Sequence, residues 1–283
     1  MVCGPTAAGK SALADSLAED LSAMFGKRAT TIVVDSMQVY REIPVITNQA
    51  RARPAELVGV VSVEEEWTVA RHKERSEEMI ESLSVEVPFV LDAGTGMYLN
   101  AIVFGIPLAP KVRPELRAEA AKLAADTRNP RRETRKLELT LAGAHERGSI
   151  WDGPLRYDAT FLYLRPPRDE LDRNILARSQ KIMCEGANEA RCLQSLQSTG
   201  VAPNPSVLES IGVKEMLLHV SGNTSADEAQ QAIATRTRRL ARRQIRWFDK
   251  LARSLPEDEA TVLVVEKAGD SGIKHLIHDI IGE

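Results

Sequence analysis

The sequence predicts a three-layer α/β fold around a mostly parallel sheet, carrying a helical insertion. Three observations predict it. Short apolar runs alternate with amphipathic helical stretches, the rhythm of βαβ units. The run at 30–34 is β-branched throughout, as a strand buried on both faces requires. An eight-residue turn, Gly4-Pro5-Thr6-Ala7-Ala8-Gly9-Lys10-Ser11, stands between the first apolar residues and the first helix.

That turn fits the phosphate-loop pattern of Gly, four residues, Gly-Lys and a hydroxyl residue. The glycines let the backbone fold tightly, so several N–H groups point at one anion. The helix that follows adds the positive end of its dipole. Lys10 supplies a cation for phosphate oxygens and Ser11 a hydroxyl for Mg²⁺. The core is therefore expected to be P-loop NTPase-like. The loop itself calls for a phosphate or diphosphate, not specifically for ATP. Only three residues precede Gly4. The expectation is a stub of a first strand, or a start that lies inside a longer reading frame.

Composition bounds the rest. The chain has 283 residues, with 43% hydrophobic and 27% charged, as expected of a soluble globular protein. No apolar run is long enough to span a bilayer and no signal peptide precedes the loop, so a cytoplasmic protein is expected. Cys3, Cys184 and Cys192 form no close pair, which argues against a zinc site. The net charge of −3 gives no hint of a nucleic-acid partner, but the distribution of charge does.

Along the chain, residues 11–21 read as a helix with Leu13, Leu17 and Leu21 on one face. The strand at 30–34 delivers Asp35 to its carboxyl end, where open α/β sheets place their ligands. Asp35 reads either as a turn or cap residue or as a carboxylate aimed at the loop. Residues 41–63 read as a loop punctuated by Pro44 and Pro54, 68–83 as a polar helix and 85–91 as a third buried strand. Asp92 follows it, either a turn residue or a Mg²⁺-supporting acid, and then a Gly-rich turn through Gly94 and Gly96. Residues 107–114 read as a linker and 115–148 as a polar helical insertion with Arg128, Arg131, Arg132, Arg135 and Lys136. A strand returns at 160–164, followed by one long helix at 168–196. A short helix follows 211–215. The helix at 226–253 has an apolar seam of Ile233, Leu240, Trp247 and Leu251. Its other positions hold Arg236, Arg238, Arg239, Arg242, Arg243 and Arg246, a candidate RNA or phosphate surface. A strand at 260–265 and a helix at 273–281 complete the chain.

Four stretches in this order carry a resemblance: Gly4 to Ser11, Asp35-Ser36-Met37-Gln38-Val39-Tyr40, Gly94-Thr95-Gly96-Met97-Tyr98-Leu99, and the twelve residues from Thr237 to Phe248. Ile211-Gly212-Val213-Lys214-Glu215 is a looser fifth. The chain resembles the tRNA dimethylallyltransferases, or tRNA isopentenyltransferases, from Val2 to about Phe248. The resemblance implies that the loop residues, Gly4 through Ser11, hold the diphosphate of dimethylallyl diphosphate with Mg²⁺. It implies transfer of the dimethylallyl group to the exocyclic N6 amine of the adenosine 3′ of the anticodon in tRNA. Asp35 is then the base, Lys10 stabilises the leaving diphosphate, and Thr95 lies beside the bound nucleotide. Ser36, Met37 and Gln38 hold the base. Arg117 and residues 131–135, with Arg131, Arg132 and Arg135, grip the anticodon stem-loop, and Arg238, Arg242, Arg243 and Gln244 add tRNA contacts. The expected domains are a catalytic core at 1–108 and 158–283 and an insertion at 109–157, in a monomer.

The chain departs from the family pattern at five places. A family His-His-Leu reads Ala55-Glu56-Leu57. Gly-Gly-Thr reads Ala93-Gly94-Thr95, after Asp92 in place of an apolar residue. A family aromatic is Val213. An arginine that helps bind the donor diphosphate is Asn174, with Arg173 one place earlier and about 100° around the helix. Arg178 and Gly186 keep the family spacing. Two other functions fit the same residues. One is an ATP-dependent small-molecule kinase, with Asp92 supporting Mg²⁺. The other is a catalytically weakened relative that binds tRNA without modifying it.

Overall fold

The computed structural model describes residues 1–83, 88–105, 108, 112–127, 130–143, 150–151, 153–256 and 260–267. The helix expected at 273–281, the first residues of the strand expected at 85–91, and Arg128 lie outside them. The chain forms two compact units, Met1–Leu99 with Tyr157–Glu283, and Asn100–Arg156.

Strands β1 (Val2–Cys3), β2 (Thr30–Val34), β3 (Phe89–Ala93), β4 (Ala159–Leu164) and β5 (Ala260–Val265) form one sheet in the order β2-β3-β1-β4-β5. Every neighbouring pair is parallel. The short β1 is central: Val2 pairs with Asp92 and Leu162, Cys3 with Ala93 and Tyr163. The alternation of β4 sets the layers. Leu162 and Leu164 join a core with Leu13, Leu17 and Leu21 of helix α1 (Lys10–Phe25). Tyr163 points to the opposite face, where its ring meets Phe248 and its hydroxyl donates to Asp249 at 2.9 Å. Those two residues belong to the long helix α10 (Ala226–Ser254).

Between these elements run α2 (Val69–Ser82), α3 (Gly96–Val103), α4 (Pro114–Ala124), α5 (Pro130–Leu141), α6 (Arg168–Glu185), α7 (Ala187–Ser198), α8 (Pro205–Leu208) and α9 (Val213–Val220). Thr68 caps α2, its hydroxyl accepting from the Arg71 N–H. The second unit contains α4 and α5, which bury Ala120, Ala124 and Leu139.

Three expectations need correction. The single helix at 168–196 is two helices broken at Gly186, where a side chain would come 2.7 Å from the Ile182 carbonyl and 3.1 Å from Ile46. Asp92 is not a turn residue but lies inside β3, 2% exposed. The stretch at 41–63 is a loop, as expected, and it is anchored. Glu56 bridges to the edge of β2 through backbone bonds to Thr31 and Val33, and Ile43, Ile46 and Leu57 are buried. Finally, the buried line of α10 is Ile233, Ala234, Thr237, Ala241, Phe248 and Leu251, with Leu240 and Trp247 only half-buried. Trp247 lies instead over Gly96, where a side chain would come 2.7 Å from its Cγ.

Candidate active site

The carboxyl ends of three adjacent strands meet at one place. After β1 comes the phosphate loop, after β2 Asp35, and after β3 the Gly94–Thr95 turn. Gly4 has a φ of +146°, and a side chain there would strike the Leu164 carbonyl of β4. Gly9 takes the left-handed region at +88°, which turns the chain into α1. Helices on the far face then hold the loop. The Thr6 N–H donates to Gln244 Oε1 at 2.8 Å, and Gln244 Nε2 donates to the Gly94 carbonyl at 2.8 Å. Gln244, expected at tRNA, therefore ties the loop to the β3 turn. Arg178 Nη1 donates to Thr6 Oγ1 at 3.0 Å and Nη2 to the Ile46 carbonyl at 3.3 Å. Asn174 Nδ2 donates to the Ala7 carbonyl at 3.1 Å, while Arg173 pairs with Asp169 in solvent. The helical offset between positions 173 and 174 thus has the consequence the sequence implied: position 174 meets the loop and position 173 does not.

The turn reading of Asp35 is realised on one of its oxygens. Oδ1 accepts from Met37 N at 2.8 Å and Gln38 N at 3.3 Å and so forms the turn. Oδ2 lies 2.8 Å, and Lys10 Cε 3.8 Å, from the place a Cβ on Gly94 would take. Asp35 and Lys10 therefore both border the hydrogen-only side of Gly94, where a side chain would crowd the carboxylate. Burial pushes the Asp35 carboxyl above its ordinary value, against the pull of the Met37 N–H and the Lys10 charge. Burial pushes Lys10 down, against the charges of Asp92 and Asp35. Lys10 Nζ donates to the Pro5 carbonyl at 2.8 Å. Thr95 Oγ1 accepts from Ser36 N at 3.2 Å, joining the second and third motifs. Gln38 Oε1 is buried without a hydrogen-bond donor. Gly96 is required for another reason: a side chain there would collide with the Trp247 indole, 2.7 Å from its Cγ.

Ser11, the expected metal ligand, is engaged elsewhere. Its hydroxyl donates to Asp92 Oδ2 at 2.9 Å. The same oxygen receives Arg51 Nη1 at 2.6 Å, and Arg51 Nη2 binds Asp15 Oδ1 at 2.6 Å. The side chains of Arg51, Asp15 and Asp92 are 4%, 5% and 3% exposed. Sequence reasoning missed Arg51 and Asp15. Asp15 had one signal, since it is an acidic residue one turn beyond Ser11 on the apolar face of α1. The donor set fits Mg²⁺ poorly, because the Asp92 oxygen beside Ser11 already receives the Arg51 guanidinium. Among the described residues no group of three His, Cys, Asp or Glu could hold a metal ion.

The basic residues divide into paired and solvent-facing sets. Arg236 pairs with Glu215, and Arg238 binds Asp172 through two bonds. Arg239, Arg242, Arg243 and Arg246 are exposed on α10. In the second unit, Arg117 and Arg135 both bind Glu138, at 3.3 and 2.7 Å. Arg131 and Arg132 lie on α5. Of the remaining departures, Ala93 and Val213 are fully buried core residues. No helix among the described residues is long and apolar enough to cross a membrane.

The chain is similar to known proteins along most of its length. The family described as IPP transferase matches residues 38–251. A tRNA dimethylallyltransferase of Rubrobacter xylanophilus is 56% identical over 284 residues, covering 99% of this chain and 97% of that protein. The full-length tRNA isopentenylpyrophosphate transferase of Bacillus halodurans superposes with a TM-score of 0.67 at 23% identity, covering 99% of this chain and 94% of that one. A eukaryotic dimethylallyltransferase acting on tRNA superposes with a TM-score of 0.71 at 22% identity, covering 99% and 78%. The two structures share the fold, and the family match and the 56% relative together establish that the chain belongs to the IPP transferase family.

Proposed function

We propose that this protein transfers a dimethylallyl group from dimethylallyl diphosphate to the N6 amine of the adenosine 3′ of the anticodon in tRNA. The observation that carries the reading is the meeting of Asp35 and Lys10 at Gly94. A proton acceptor and a phosphate-loop cation both border Gly94 at the strand ends. The activity named for the Rubrobacter relative supports the same reading.

In the reaction the N6 lone pair forms a bond to the allylic carbon while that carbon's bond to the diphosphate oxygen breaks. The amine proton passes to Asp35 Oδ2. An adenine amine is a weak nucleophile because its lone pair is delocalised, so proton removal as the bond forms lowers the barrier. The raised carboxyl value of Asp35 suits a group that must take up a proton and release it again. Lys10 and the loop N–H groups stabilise the charge that grows on the departing diphosphate. The target base leaves its stack to reach the site. The exposed arginines of α10 and those of α4 and α5 offer phosphate contacts to the RNA. Mg²⁺ does not fit Ser11 and Asp92 as they stand, and no step is routed through it. The kinase alternative loses its metal-supporting acid for the same reason.

The test is transfer of labelled dimethylallyl from its diphosphate to unmodified tRNA, beside phosphoryl transfer from labelled ATP. Label in tRNA at N6 of the adenosine 3′ of the anticodon is the expected result. tRNA binding without label transfer, or ATP turnover indifferent to tRNA, contradicts it.

A further inference from the structure

Asp92 Oδ2 has two donors, the Ser11 hydroxyl at 2.9 Å and Arg51 Nη1 at 2.6 Å. Arg51 is itself fixed by Asp15. Nε and Nη2 reach Asp15 Oδ1 at 3.1 and 2.6 Å, and Nη2 lies 3.3 Å from the Ser11 carbonyl. The second oxygen of Asp15 accepts the Ala52 N–H at 3.0 Å, so the backbone beside Arg51 is held by the same carboxylate. In phosphate-loop enzymes that use Mg²⁺, the loop hydroxyl and an acid at a neighbouring strand end support the ion. Here those two groups are bonded to each other, and a buried guanidinium covers the acid.

We propose that Arg51 closes the Ser11–Asp92 corner to a protein-held metal, so that this chain binds the diphosphate of its donor without a divalent cation on Ser11 or Asp92. The inference rests on the reading of the loop as a diphosphate site. Mg²⁺ takes oxygen ligands at about 2.0–2.1 Å in octahedral geometry. An ion on Asp92 Oδ2 would sit against the guanidinium, two cations in a water-poor corner where their repulsion is poorly screened. Swinging Arg51 away would leave Asp15 and Asp92 buried and unpaired, an arrangement proteins tolerate badly. The fixed positive charge of Arg51 stands in the corner instead. A Mg²⁺ ion arriving with the diphosphate keeps phosphate and water oxygens as ligands.

The experiment is calorimetric binding of inorganic pyrophosphate to the full chain, in excess EDTA and in excess Mg²⁺. For the unaltered protein the two dissociation constants are expected within about threefold of each other. Arg51→Lys keeps a cation between the two carboxylates and is expected to preserve that ratio. The double variant Arg51→Gln with Asp15→Asn removes one charge of each sign and so leaves the net charge of the corner unchanged. It frees Asp92 and Ser11, and pyrophosphate is expected to bind more than tenfold tighter with Mg²⁺ than with EDTA. A dependence above tenfold in the unaltered protein overturns the inference, as does a double variant with the unaltered ratio. Either result alongside intact dimethylallyl transfer overturns the closed corner alone. Absence of pyrophosphate binding under both conditions overturns the donor site as well.

Discussion

The two sides of the phosphate loop differ in what their charged groups are bonded to. On one side, Ser11, Asp15, Asp92 and Arg51 satisfy one another through short, buried contacts. On the other, Lys10 donates to a backbone carbonyl, and Asp35 engages one oxygen in a turn while the other faces Gly94. On the closed side two carboxylates share one buried guanidinium and the groups bond one another, so it shapes the loop and resists change. The open side holds two ionisable groups whose proton affinities burial has moved toward each other. A carboxylate in a phosphate-loop site is thus not marked as reactive by its position alone. Its bonding separates Asp35 from Asp92.

Substitutions on each side should behave differently. Asp35→Ala is expected to lower single-turnover transfer by about 10²–10⁴-fold while pyrophosphate affinity changes little. Comparable transfer in the variant would remove the distinction between the two sides. Lys10→Ala should weaken pyrophosphate binding by about 10²-fold, read by calorimetry, with tRNA affinity kept. On the closed side the expected loss is of stability. Asp15→Ala leaves Arg51 paired with Asp92 but removes the acceptor of the Ala52 N–H and of Arg51 Nε and Nη2, and is expected to cost about 1–3 kcal/mol in urea unfolding, with the transfer rate of the folded fraction within a few-fold of the original.

Away from the loop, buried His72 sharpens the contrast between a group tuned for chemistry and one that is merely buried. Trp67 Nε1 donates to His72 Nδ1 at 3.0 Å, and burial lowers the imidazole from 6.5 to about 4. The unfolded chain therefore takes up this proton first as pH falls. The stability His72 confers is complete above pH 6.5 and is lost toward pH 4, by about 3 kcal/mol. His72→Gln, which keeps an acceptor for Trp67, should flatten that part of the stability–pH curve without altering transfer at pH 7.

The loop and Asp35 were legible because each is a contiguous pattern whose backbone does the positioning. Gly4 and Gly9 are there for backbone conformation, and Asp35 falls at a strand end by the rules of parallel sheets. The groups that brace them were not legible. Gln244 reaches Thr6 across 238 residues, and Arg51 reaches Asp92 across 41, from a stretch that reads as a loop. Such bonds depend on where distant elements come to rest, which local periodicity does not encode. The α10 seam failed for a related reason: Trp247 is apolar at the expected spacing, yet it sits over Gly96 at the site rather than in the core line.

The central claim is that Asp35, on the open side, accepts the amine proton. Its most direct test is the pH dependence of single-turnover transfer at saturating donor and tRNA. Because burial raises the Asp35 carboxyl above its ordinary 3.8, the base loses its charge at a higher pH than an exposed aspartate. The rate is expected to fall with decreasing pH along a limb above that value. Lys10→Met removes a charge that favours the carboxylate, so the limb should move to still higher pH. In Asp35→Asn the limb should vanish along with most of the rate. A limb that survives in Asp35→Asn, at an undiminished rate, would show that another group takes the proton.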